Sequence, residues 1–89
     1  MFNYNVKPYY SISVFNDICE RMEKCFPEIK EKEYLEDPLD LDMLRIYELN
    51  GKKIKVYNYF LVDAVYVVSE INLNKLFLPM GIEPYFTDD

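Results

Sequence analysis

The chain has 89 residues, 51% of them apolar, with sixteen Asp and Glu against ten Lys and Arg and a formal charge of −6. That length admits one domain with a modest core, and the negative charge disfavours direct binding to nucleic acid or to an anionic membrane. Histidine is absent, which removes the side chain most used for acid/base catalysis and metal binding near neutral pH.

Phe2, Tyr4 and Val6 alternate with polar residues up to Pro8, the pattern of a short strand. The segment lacks the basic start and apolar stretch of a signal peptide. No apolar run approaches the roughly 20 residues that span a bilayer. A cytoplasmic location is therefore expected, with no membrane partner.

The next segment predicts a helix over about 12–26. Ser11 or Ser13 can cap it, and Asp17, Glu20 and Lys24 follow the order that the macrodipole favours. Val14, Phe15, Ile18, Met22, Cys25 and Phe26 recur at helical spacing. Pro27 stops the run, because the residue before a proline is pushed out of the α region. Cys19 and Cys25 are the only cysteines; on one helix six residues separate them by about 9 Å of rise, beyond disulfide reach. Reduced thiols are expected.

Residues 28–42 hold seven carboxylates, show no clean period and are interrupted by Pro38. They are expected to form an acidic loop, anchored by Ile29, Tyr34 and Leu35. An irregular connection of that length is uncommon unless it serves function.

Asn50-Gly51 lies between two strand-like runs, a strong hairpin signal. A two-residue loop would set Ile46 against Lys55 and Tyr47 against Ile54, mixing apolar and polar faces. An odd-length loop sorts them: three residues pair Ile46 with Ile54 and Leu44 with Val56, and five pair Ile46 with Val56. The expectation is thus Gly51 at a bulge, with Leu44, Ile46, Ile54 and Val56 inward. Arg45, Tyr47, Lys53, Lys55 and Tyr57 would then share the outward face. Residues 61–69 are rich in β-branched side chains and suggest a third strand, with a helix as the competing assignment. Residues 72–78 suit a helical turn, and 84–89 a flexible tail. Together these elements predict an α+β fold, with one main helix on an antiparallel meander of three to four strands.

Chemistry is sparse. Asp37, Asp40 and Asp42 lack the glycine and terminal glutamate of a calcium loop, and two cysteines without histidine cannot complete a zinc site. Ser11, Ser13 and Ser69 have no histidine base or Gly-x-Ser-x-Gly context. Two glycines cannot furnish a phosphate-cradling loop. Adjacent acids such as Glu36 and Asp37 are ordinarily solvated charges. No cofactor, metal or catalytic residue is expected, and the chain is not expected to be an enzyme.

Nine tyrosines are present, and tyrosine brings a rigid apolar body with one polar tip to recognition surfaces. The expected contact residues are Glu31, Glu33, Glu36, Asp37, Asp40 and Asp42, together with Tyr47 and Tyr57. Size and charge resemble the small acidic inhibitors that phages and mobile elements direct at restriction, CRISPR or repair enzymes. They also resemble immunity proteins that neutralise toxins. No motif underlies the resemblance, so it transfers no site residues. The implied function is a non-catalytic inhibitor that blocks a basic nucleic-acid-binding site on a protein. An immunity protein or antitoxin bound to its toxin is the alternative, and homodimerisation stays open in both.

Overall fold

The computed structural model describes residues 1–86. Six strands form one antiparallel sheet: β1 (Phe2–Lys7), β2 (Lys30–Glu36), β3 (Met43–Leu49), β4 (Lys52–Tyr59), β5 (Ala64–Ser69) and β6 (Tyr85–Phe86). Their spatial order is β2-β3-β4-β5-β1-β6. Four consecutive strands make a meander, and the first strand of the chain returns to its far side. Helix α1 (Ile12–Cys25) and the short α2 (Asn74–Phe77) pack on one face. The α+β class agrees with expectation; the sheet is larger than the three or four strands expected.

The long helix forms where its signals lie. Ser11 Oγ accepts from the Val14 amide at 3.2 Å, capping the first turn. Exposed pairs Asp17–Arg21 and Glu20–Lys24 face solvent, while Phe15, Ile18, Cys19 and Met22 are buried against the sheet. Phe26 leaves the helix at φ −125° ahead of Pro27. Across the core, Tyr4, Tyr47, Ile54, Val56, Val65 and Val67 are fully buried, each aliphatic one contributing about 1.5–3 kcal/mol by leaving water. Cys19 and Cys25 are both free thiols.

Residues 28–42 are not one loop. Lys30–Glu36 within it is the edge strand β2, antiparallel to β3. Its register shifts between Glu31 and Glu33, where Lys32 and Glu33 together oppose Ile46. This bulge places Glu31 and Tyr34, three residues apart, on the same face, which hides the period of two. Every residue of β2 is exposed, as suits a charged edge that resists pairing with other chains.

The hairpin register also differs from expectation. Asn50 and Gly51 adopt φ 52° and 77°, a two-residue type I′ turn whose twist matches the flanking strands. Ile46 pairs with Lys55, Tyr47 with Ile54 and Leu44 with Tyr57. Met43, Tyr47 and Leu49 are therefore inward and buried, while Leu44 and Ile46 turn to the other face. Tyr47, expected on an outward contact surface, has no exposure at all. Sorting aliphatic residues to one side fails because the outer face also carries apolar side chains, Leu44, Ile46, Tyr57, Tyr66 and Val68, interspersed with Lys53 and Lys55.

Residues 64–69 are strand, settling the alternatives for that segment. The C-terminal helical turn is α2, extended by a 3-10 turn at Leu78–Met80 that Gly81 ends at φ 76°. Tyr85 and Phe86, expected in a flexible tail, pair with Asn3 and Phe2; residues 87–89 of that tail lie outside the described residues.

Candidate functional site

Antiparallel topology carries three connections to the same end of the sheet: 8–11 between β1 and α1, 37–42 between β2 and β3, and 60–63 between β4 and β5. Side chains tie them together. The Tyr10 amide donates to Asp63 Oδ1 at 2.7 Å, and its hydroxyl donates to the Leu41 carbonyl at 2.8 Å. The Phe60 amide donates to Asp42 Oδ1 at 3.0 Å, and the Phe60 ring meets Tyr10 edge-on at 5.4 Å. Asp37 Oδ1 accepts from the Leu39 and Asp40 amides, while the Leu41 amide returns to the Asp37 carbonyl. Buried Asn58 anchors the helix start beside them by accepting from the Ser11 amide at 3.1 Å.

The charge of this end is predominantly negative. Segments 36–44 and 56–64 contain Glu36, Asp37, Asp40, Asp42 and Asp63 and no Lys or Arg, and the exposed Lys7, where β1 enters the 8–11 connection, stands against them. Most of the formal charge of −6 is therefore concentrated here. Exposed among the acids are Leu39, Leu41, Phe60, Leu61 and Val62. The 37–42 connection stands as a ridge between two open grooves of about 440 and 340 Å3. Leu35, Leu44 and Tyr59 line the first, and Tyr10, Ile12 and Leu41 the second.

The eight contact residues expected from sequence divide into separate groups. Glu36, Asp37, Asp40 and Asp42 come together at the three-loop end. Glu31 lies on the helix side of β2, with its Oε1 2.8 Å from Arg45 Nε, so its charge is matched within the chain. Glu33 is one residue from Tyr34 across the pleat and points to the opposite face. The acids of β2 consequently do not form a single row. Tyr47 is internal, its hydroxyl donating to Glu23 Oε2 at 2.6 Å. Burial, and then that carboxylate, push its phenol well above the usual range. Arg45 lies over the Tyr34 ring at 4.5 Å.

Tyr57 lies on the sheet face away from α1, half-buried beside two other tyrosines. Its ring stacks on Tyr66 at 4.7 Å and meets Tyr59 edge-on at 5.0 Å. Burial pushes the Tyr66 phenol up to about 12, assisted by Tyr59 and Tyr57. Burial also raises Tyr59, followed by the charge of Asp42. These phenols stay protonated at neutral pH and present neutral, polarisable surface. Cys19 is held neutral chiefly by burial, which makes it a poor nucleophile.

Sequence reasoning missed Asp63 and the exposed aliphatics around it. The only local signal was Phe60-Leu61-Val62 running unbroken into a turn, where polar residues are the rule. Among the described residues no group of three Cys, Asp or Glu converges as a metal site requires, and no described helix is long and apolar enough to cross a membrane. Comparison with protein-family models, curated proteins and solved structures finds no match to this chain.

Proposed function

We propose that this chain is a non-catalytic, protein-binding inhibitor that covers a basic, nucleic-acid-binding surface of its partner, in the manner of small anti-defence proteins. The observation that supports this reading is the collection of five carboxylates, Glu36 at the end of β2 and four Asp on the adjoining loops, against one lysine, Lys7, at the end where three loops interlock. Such a concentration steers a basic surface toward that end and speeds association at low salt. The loops are ordered by hydrogen bonds before any partner arrives, which limits the entropy lost on binding. Four of the six acids proposed from sequence take part; Glu31 and Glu33 do not belong to the contact surface in this reading.

The test uses the full chain as bait in a lysate of its native host, with captured proteins identified by mass spectrometry and then purified. A nucleic-acid-binding protein should be recovered, and added DNA or RNA should release it. Changing Glu36 and Asp40 to Gln and Asn should weaken the complex and flatten its salt dependence, while Glu31→Gln should not. Failure of nucleic acid to compete, or a complex indifferent to salt, overturns the reading.

A further inference from the structure

We propose that the three-loop end seats its aliphatic side chains in an apolar groove of a partner protein, with Lys and Arg along the groove's margins. This rests on the protein-binding reading above and specifies the chemistry of the receiving site. Leu39, Leu61 and Val62 are 91%, 83% and 62% exposed, on two different loops that are both tied to Tyr10 or to each other. Grouped aliphatics with a polar rim mark interaction sites, whereas single exposed ones do not. Asp37, Asp40, Asp42 and Asp63 provide that rim. The ridge also keeps its shape although Leu41 sits at φ 63°, a region a leucine rarely occupies.

Charge decides which occupant fits. A second copy would bring two ends of the same sign together, and an anionic bilayer would be repelled. A basic-rimmed protein groove satisfies both the aliphatics and the acids. Carboxylates alone would suffice to imitate phosphates; Leu39, Leu61 and Val62 would add nothing to that imitation. Their exposure on the same loops as the acids makes them the anchors and makes the acids the orienting rim.

The probe is a synthetic amphipathic peptide of Leu and Lys, titrated into isotopically labelled full chain and followed by amide shifts. Peptides of Lys and Ser, and of Leu and Glu, of equal length serve as controls. The Leu/Lys peptide is expected to bind saturably and to shift resonances of 37–42 and 60–63. Both controls, and a Leu39→Ser/Leu61→Ser double variant with unchanged circular dichroism, should bind about tenfold or more weakly. Equal binding by the Lys/Ser peptide, or an unaffected double variant, overturns the proposal. So do shifts confined to Tyr57 and Tyr66, which would leave the broader protein-binding reading standing; no binding by either cationic peptide counts against both. Self-association in sedimentation, or adhesion to phosphatidylcholine vesicles, either of them lost in the double variant, would assign the patch to a second copy or a membrane and equally overturn it.

Discussion

The two ends of the sheet are built by opposite rules. At one end Asn50 and Gly51 take the left-handed conformations that their small or absent side chains tolerate, charges of both signs surround them, and Tyr4 closes the neighbouring chain. Its hydroxyl accepts from the buried Leu73 amide at 2.7 Å and donates to Asn74 at 3.0 Å, and its ring stacks on Phe77 at 4.4 Å. At the other end Leu41 holds a left-handed backbone that leucine rarely adopts, aliphatics face solvent, and charge is predominantly negative. Local rules are obeyed where the chain only has to turn. They are broken where surface is on offer, which is where departures from consistency are expected to signal function.

The largest test of this contrast truncates the closed end. Tyr4→Ala should cost about 3–5 kcal/mol in urea denaturation, because it removes a fully buried ring and leaves the Leu73 amide without its acceptor. Tyr4→Phe isolates the hydroxyl and should cost about 1–3 kcal/mol. Comparable losses from Leu39→Ser or Leu61→Ser would erase the distinction between the ends.

Alkaline titration probes the sheet that joins them. Tyr4, Tyr34, Tyr47, Tyr57, Tyr59 and Tyr66 all have phenols raised mainly by burial. The unfolded chain releases those protons near pH 10, while the folded chain retains them, so folded protein binds more protons. Stability is then full below pH 10 and falls as pH rises; for Tyr66 the window closes at about 12. Urea midpoints measured against pH should drop over that range as tyrosinate absorbance rises, and Tyr66→Phe should make the drop shallower.

A smaller and sharper test exchanges the two kinds of turn. Gly51→Ala meets no atom within 4 Å but must hold φ 77°, so about 1–2 kcal/mol should be lost through backbone conformation alone. Leu41→Gly relieves a similar strain and gives back about 0.5–1 kcal/mol in added unfolded-state entropy, leaving stability unchanged or slightly raised. The smallest effect belongs to Leu61→Ser, expected within about 0.5 kcal/mol of the parent. A neutral effect on folding together with lost peptide binding is the combination that separates a docking residue from a structural one.

Helix α1 was legible because its signals act over a few residues: Ser11 caps, the apolar stripe repeats, and Pro27 stops it. The hairpin was legible as a hairpin for the same reason. Its register was not, since Leu44 and Ile46 pack on a second, partly apolar face that alternation could not distinguish from the core. Strand β2 was concealed by a bulge at Lys32 and Glu33, which breaks the period over only seven residues. Of the acids proposed as contacts, Glu31 was misjudged because its partner Arg45 lies in another strand.

Composition and short-range pattern were enough to establish a small acidic α+β chain, its principal helix and the Asn50-Gly51 turn. Which side chains face water together was decided only in three dimensions. Asp63 is more than twenty residues from Asp37 and more than fifty from Tyr10 along the chain, and antiparallel pairing alone brings the three to one end. Caps and turns depend on neighbours within a turn or two of backbone; a surface assembled from separate loops depends on how distant strands register, and that information is distributed over the whole core.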